Sequence, residues 1–284
     1  MIKVTPAEFT LLVKYIHDIS GIALDPGKEY LIETRLSPLL EQLGCKSYTE
    51  LHQKAKTDPL KAIERKIIDG ISTNETYFFR DKSPFDLLQF KLLPDIIDRR
   101  TDGGRKPRQV NLRIWSAASS TGQEIYSIAM IIKELGLDPK NYNITLIGTD
   151  ISDAVIAQAS YGKYNKFEAT RGLSQGFLNK YFNQDGECWR IKDEVRAMAQ
   201  FRKINLMESF AALGKFDIIF CRNVAIYFSP ETRKNLYQKL CGALEPDGYL
   251  IIGSTESLSN DTTLFKPQKY LNSIFYQRSD YSPK

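Results

Sequence analysis

Histidine is scarce in this chain. Only His17 and His52 occur in 284 residues, both within an N-terminal helical stretch. That argues against serine triads, histidine-rich metal sites and imidazole general bases. The four cysteines, Cys45, Cys188, Cys221 and Cys241, are far apart and form no CxxC pair, so neither a structural zinc nor a disulfide framework is expected, and no other metal site is expected either. No apolar run approaches the roughly 20 residues that span a bilayer. The opening "MIKVTPAEF" reads as neither signal nor transit peptide, so a cytoplasmic location without membrane insertion is expected. The formal net charge of +5 permits an acidic partner without identifying one, and an ordinary mildly basic surface is the simpler account. The dense basic patch of a nucleic-acid binder is missing, and no nucleic acid is expected as a partner.

Glycine is scarce at one telling place. "RIWSAASSTGQEIYSIA", from Arg113, reads as buried strand, small-residue turn and helix, the way nucleotide sites of α/β proteins begin. It holds one glycine, Gly122, where a dinucleotide site would want three. A nicotinamide dehydrogenase is therefore disfavoured.

With 42% hydrophobic and 26% charged residues, the chain suits a globular protein with a real core, as one large domain or two smaller ones. The first 70 residues read as a helical bundle. "TPAE" at Thr5 is a capping box with proline at the first helical position. Phe9, Leu12, Val13, Ile16 and Ile19 follow at helical spacing up to Gly21. A second helix is expected from Asp25, broken or kinked at Pro38 and stopped at Gly44. A third follows a capping box at Ser47, and a fourth begins at Asp58. "STNETYFFRD" (72–81) has no period, and "SPFDLLQFKLLPDIIDRR" is a helix interrupted at Pro94. "TDGGRKPRQ" is a loop by composition.

Thereafter apolar strand-like runs alternate with helices, which implies a doubly wound, mostly parallel α/β sheet. "SIFYQR" closes it as an antiparallel edge strand. Between Gly172 and Gln200 the alternation breaks into a short helix and a small antiparallel β insertion. The expected domains are a helical domain over 1–72, a linker and helix over 73–110, and an α/β domain over 111–284 with the insertion at about 183–200.

In doubly wound folds ligands bind at the carboxyl ends of the strands. After the first strand, Ala117 and Ala118 keep the turn narrow, and Ser119, Ser120, Thr121, Gly122 and Glu124 open a helix whose free N–H groups suit an anion or simply a well-capped helix. After the second comes Asp150, placed for both hydroxyls of a ribose. After the third comes Asn205, whose amide could pair with an adenine edge. After the fourth come Arg222, Asn223 and Tyr227. Together these suggest an adenosine ligand whose tail is a methionine rather than a pyrophosphate.

"ISTNETYFFRD", "IWSAASSTGQEIYSIA", "TDIS" and "FDIIFCRNVAIYF" resemble the signature blocks of the bacterial chemotaxis receptor methyltransferases, the CheR family. The resemblance covers nearly the whole chain. It implies a Rossmann-like class I methyltransferase fold that uses S-adenosylmethionine, releases S-adenosylhomocysteine and forms methyl esters on glutamates of receptor cytoplasmic helices; a monomer is expected, though the sequence does not fix the oligomeric state. Carried over by motif, it implies cofactor contacts from Asn74, Thr76 and Arg80, and from Ala117, Gly122 and Ile151 around the first two strand ends. Glu124 and Asp150 would hold the methionine amino group and the ribose. Asn205 and Leu206 would flank the adenine, and Arg222 and Asn223 would close the site. Tyr77, Phe78 and Phe79 read otherwise as domain-packing residues. Arg80, Arg99 or Arg100 is a candidate to orient the acceptor carboxylate, and Tyr227 could add a hydroxyl. A helix-ending Arg99–Arg100 pair also simply suits the helix dipole.

Two departures matter. The family's second helix carries several arginines for an acidic substrate helix, whereas here Arg35 stands among Glu33, Pro38 and Glu41, implying a weak grip. The insertion's short "NQDGEC" turn, with Asp185-Gly186 suited to a tight reversal, leaves little edge for a receptor pentapeptide. A nucleic-acid N-methyltransferase would carry an Asn-Pro-Pro-aromatic block where this chain has "RNVAIY". A non-catalytic cofactor sensor could lose Arg80 and Tyr227, which are present.

Overall fold

The computed structural model describes residues 2–101 and 109–282. The loop expected over 101–109 lies, apart from its two end residues, outside them.

Helix α1 (Pro6–Ser20) begins with the expected box: the Thr5 hydroxyl accepts from the Glu8 N–H, and the Glu8 carboxylate accepts from the Thr5 N–H. Gly21, at φ 76°, closes it by donating to the His17 carbonyl. Helix α2 (Glu29–Gln42) starts later than expected and runs straight through Pro38. Pro38 is exposed, so the Thr34 carbonyl it orphans can turn to water, while Ile32, Leu36, Leu39 and Leu40 pin the opposite face to the core. Helix α3 (Tyr48–Thr57) is capped by Ser47, but its box is half-formed, because Glu50 reaches the Lys46 N–H instead. Helix α4 (Ala62–Ile71) starts after a turn in which Asp58 accepts from the N–H groups of Leu60 and Ile63.

The linker helix is likewise not interrupted. Between α5 (Ser83–Leu87) and α6 (Leu93–Thr101) lies a π turn, Leu88–Leu92, and the Leu93 N–H reaches back to the Leu88 carbonyl. This wider turn absorbs Pro94 without ending the helix.

The α/β domain follows as β1 (Val110–Ala117), α7 (Gln123–Glu134), β2 (Tyr142–Asp150) and α8 (Asp153–Tyr161). Then come β3 (Lys163–Asn165), α9 (Lys166–Thr170), α10 (Gln175–Tyr181), β4 (Phe182–Asp185), β5 (Cys188–Ile191) and α11 (Asp193–Arg196). β6 (Ala199–Lys203), β7 (Phe216–Cys221), α12 (Pro230–Ala243), β8 (Leu244–Ile252), β9 (Phe265–Tyr270) and β10 (Ser273–Arg278) complete it. The large sheet has the order β6-β2-β1-β7-β8-β10-β9, with β10 antiparallel to both its neighbours. "SIFYQR" is thus antiparallel, as expected, but not the edge. That place belongs to β9, whose Pro267 and exposed Lys266 and Lys269 suit an unpaired rim and hide its strand character.

The sheet is buried on both faces. Along β1, Leu112 and Ile114 enter one core with α7, whereas Trp115 and Ala117 enter the other with α12. The small sheet has the order β3-β5-β4, so the insertion begins at Lys163 rather than near 183, with a strand too short to show a period. Its reversal is Gly186-Glu187, since Asp185 still pairs with Cys188.

The linker turn is wedged against this insertion. Gly172 has φ +85°, and a Cβ there would lie 1.9 Å from the Phe78 carbonyl oxygen. Gly172→Ala should lower unfolding free energy by at least about 2 kcal/mol, combining overpacking with left-handed strain. Denaturant unfolding checks this, and a change within about 0.5 kcal/mol would show that the linker gives way freely.

Candidate active site

The carboxyl ends of β1, β2, β6 and β7 open into one cavity, roofed by the segment after α1 and walled by the linker. After β1 the chain reverses through two non-glycine left-handed residues, Ala118 (φ 57°) and Ser120 (φ 49°). The Ser119 N–H donates to the Thr149 carbonyl at 2.8 Å, which locks the turn to β2. The Ser120 N–H donates to Asp150 Oδ2 at 2.9 Å and the Ser152 N–H to Oδ1 at 3.1 Å. The Ser120 hydroxyl reaches the Asn74 carbonyl at 3.0 Å and so ties the linker down.

Asp150 lines the cavity at 7% exposure. Burial pushes its carboxyl pKa up, against the pull of its backbone N–H donors. Among the described residues no lysine or arginine pairs with it, so its remaining lone pairs await donors that water or a ligand must bring. Capping of α8 does not occupy it, since the Ser152 hydroxyl accepts from the Val155 N–H.

Glu124 sits in the first turn of α7, where the helix dipole favours a carboxylate. Its Oε1 accepts from the Ser116 hydroxyl and its Oε2 from Arg222 Nη1, both at 2.8 Å. The Arg222 side chain is 2% exposed and lies directly after β7. Its Nη2 donates to Asp81 Oδ2 at 2.7 Å and to the Arg80 carbonyl at 3.0 Å. The linker turn it holds contains three left-handed residues, Phe79 (φ 52°), Asp81 (φ 67°) and Lys82 (φ 46°). Such conformations persist only where their surroundings impose them.

Asn74, Thr76, Arg80, Glu124, Asp150, Ile151, Asn205, Leu206, Arg222, Asn223 and Tyr227 all line this cavity. Arg80 donates to the Glu75 carbonyl at 2.8 Å. Asn223, at φ 56°, is held by its N–H to Glu256 Oε2 at 2.7 Å, and the same oxygen takes the Gly253 N–H.

Other expectations need correction. Ala117 is buried behind the turn in the core, and Ala118 lines the cavity in its place. Gly122 faces Ala159 and Phe201, so its missing side chain serves close packing against α8 and β6. Asn205 lines the cavity, and its amide also ties the chain down: Nδ2 donates to the Ile19 carbonyl and Oδ1 accepts from the Met207 N–H, each at 2.9 Å, which among the described residues leaves one N–H and one lone pair free. It thus docks the helical domain while keeping a polar edge beside the cavity. Arg35, from which only a weak grip is expected, lines the cavity and caps α4 through the Ile71 carbonyl at 2.5 Å, with a further bond to the Thr73 hydroxyl at 3.1 Å.

Arg99 and Arg100 lie at the opposite, amino-terminal edge of the strands. Arg100 clasps Asp247 and Asp217, and Arg99 bonds Asp247 and the Tyr249 hydroxyl. Neither lines the cavity, so neither can orient an acceptor there. Phe78 and Phe79 pack as read, the first against Tyr164 and Phe182, the second against Phe85 and Phe177.

The sequence missed the roof. Ile22 forms an antiparallel bridge with Phe228, and the Ala23 N–H donates to the Tyr227 carbonyl at 2.8 Å. Ile22, Leu24 and Leu31 thereby bring apolar cover from the helical domain. Nothing in their local pattern distinguishes them from core positions.

Residues 74–273 match the family described as the CheR methyltransferase SAM-binding domain, and residues 7–69 match the CheR methyltransferase all-alpha domain. Chemotaxis protein methyltransferase 1 of Pseudomonas aeruginosa is 40% identical over 258 residues, covering 89% of this chain and 91% of that protein. Chemotaxis protein methyltransferase Cher2 of Pseudomonas putida is 38% identical, covering 93% of this chain and 94% of that protein. A chemotaxis protein methyltransferase of Borreliella burgdorferi is also 38% identical, covering 93% and 92% respectively.

The Arg100–Asp247 contact makes a stability prediction separate from the cavity. Hydrogen bonding and proximity to Arg100 hold the Asp247 carboxyl below its usual range. Stability from this contact is therefore present above the unfolded carboxylate pKa of about 3.9 and is lost as pH falls through the lower folded value. Arg100→Gln should cost about 1–3 kcal/mol at pH 7 and leave S-adenosylhomocysteine affinity within about twofold. The stability difference should close in acid. A tenfold loss of affinity would return Arg100 to the site.

Proposed function

Because the chain belongs to the CheR methyltransferase family, and is thus an S-adenosylmethionine-dependent chemotaxis methyltransferase, we propose that its acceptors are glutamate side chains on cytoplasmic helices of methyl-accepting receptors. The observation that carries the site assignment is the pair of carboxylates, Glu124 and Asp150, at neighbouring strand ends on one cavity, the second with no cationic partner among the described residues. That donor-hungry pair suits an ammonium group and a ribose diol. None of the described helices is long and apolar enough to cross a membrane. The enzyme acts in the cytoplasm, where the receptors' cytoplasmic helices are met.

When bound, S-adenosylmethionine supplies an electrophilic methyl group and departs as S-adenosylhomocysteine. Asp150 would accept from the ribose hydroxyls. Glu124 would accept from the methionine ammonium. Asn205 and Leu206 would flank the adenine with Ile151 beside them, and Asn205 also fixes the loop that carries Leu206. Asn74, Thr76 and the backbone at Arg222 and Asn223 close the remaining walls. The acceptor glutamate, with an unperturbed pKa of about 4.3, is already ionised at neutral pH and needs no general base. The protein's task is to align the reactants and exclude water between them, and alignment alone can supply roughly 7–11 kcal/mol. Arg80 and the Tyr227 hydroxyl orient the acceptor carboxylate, and the apolar roof of Ile22, Leu24 and Leu31 shields it.

Two measurements test this. Methyl-labelled cofactor and receptor cytoplasmic fragments, with or without a C-terminal pentapeptide, should give label released by mild alkali, as an ester requires. Alkali-stable label would place the methyl on nitrogen and overturn the acceptor assignment. Asp150→Ala should weaken S-adenosylhomocysteine binding by at least ~1.5 kcal/mol, the low end for a charge-assisted hydrogen bond. Unchanged calorimetric affinity in a folded variant would remove Asp150 from the ribose.

A further inference from the structure

Arg222 faces two carboxylates at once. Glu124 lies at 2.8 Å on one nitrogen and Asp81 at 2.7 Å on the other. Among the described residues the other groups bonded to these three side chains are neutral: the Ser116 and Ser254 hydroxyls and the Arg80 carbonyl. One cation therefore meets two anions, and the cluster carries one negative charge in excess. Arg222 is 2% exposed, the Glu124 side chain 12% and the Asp81 side chain 27%, so water reaches the Asp81 end more than the Arg222–Glu124 end and little of it spreads the charge on Glu124. A buried excess charge is unfavourable unless a counter-charge arrives.

Glu124 lines the cavity, whereas Asp81 does not. Asp81 engages Nη2 of the guanidinium, the nitrogen that Glu124 does not use. If Glu124 alone faced Arg222, the pair would be neutral and its pull on an incoming ammonium weak. With Asp81 sharing the guanidinium, Glu124 keeps part of its charge for the ligand.

We propose that Asp81 is a positioning residue that divides Arg222 between two carboxylates and thereby reserves the Glu124 charge for the α-ammonium of the cofactor. The inference rests on the reading of Glu124 as the ammonium seat. It also accounts for a left-handed aspartate at φ 67° in the linker, since that conformation aims the carboxylate at Arg222. Aspartate and asparagine tolerate this region better than most residues, so Asp81→Asn removes the charge while keeping size and backbone.

The test compares two ligands by calorimetry. S-adenosylhomocysteine carries the amino-acid tail, and 5′-methylthioadenosine keeps the nucleoside and thioether without it. Asp81→Asn should weaken S-adenosylhomocysteine at least about tenfold, the scale of one charge-assisted hydrogen bond, and leave methylthioadenosine within about twofold. Glu124→Gln should show the same selectivity. Equal loss of both ligands in Asp81→Asn would mean general disruption and overturn the proposal, as would unchanged affinity for S-adenosylhomocysteine. Selective loss in Glu124→Gln but not in Asp81→Asn would leave the ammonium seat standing and remove Asp81 alone. No selectivity in Glu124→Gln would remove the seat and the proposal with it.

Discussion

A guanidinium buried at the carboxyl end of β7 is the constraint on which the site depends. Arg222 has almost no contact with solvent, so its charge must be met by protein groups. Those groups come from two places remote in sequence. Glu124 belongs to the helix after β1, and Asp81 and the Arg80 carbonyl belong to the linker. Satisfying one side chain therefore fixes the linker against the strand ends and forces three left-handed residues into a single turn. Removing one partner of such a buried pair typically costs about 3–5 kcal/mol, more than the strain the turn stores at any one residue.

The rest of the cavity is assembled around that joint. Ser120 ties the turn after β1 both to Asp150 and to the linker backbone at Asn74. On the opposite wall, Asn205 and Met207 hold the end of α1, and Lys239 gathers the carbonyls of Leu206, Met207 and Glu208 at 2.5–3.1 Å. The helical domain is thus fastened to the loop that carries Leu206. In the proposed reaction, which needs alignment rather than a base, rigid walls of this kind are the catalytic apparatus.

The parts of the site legible in the sequence were those fixed by strand ends. Glu124, Asp150 and Arg222 each sit within a few residues of a buried apolar run, and parallel topology sends all such positions to one rim. What could not be read was the partner of each polar group. The Asn205 amide meets a carbonyl 186 positions away, and Arg100 meets Asp217 and Asp247 more than a hundred positions away. No periodicity encodes such pairings, so two arginines at a helix end looked free for catalysis when they in fact staple α6 to the opposite rim. Backbone breakers misled for a related reason. Pro38 is tolerated on an exposed face and Pro94 by a π turn, because packing of the opposite faces outweighs one lost hydrogen bond in each. β9 was hidden by the lysines and proline that protect an edge.

Hydrogen exchange of the linker tests most directly whether Arg222 binds linker and cavity into one unit. Arg222→Lys keeps the positive charge, but a single ammonium cannot span Glu124, Asp81 and the Arg80 carbonyl as a planar guanidinium does. The account predicts that amides over 77–85 exchange at least about tenfold faster in this variant, by local opening, while β1 and β7 stay protected. Linker protection unchanged from the parent protein would contradict it.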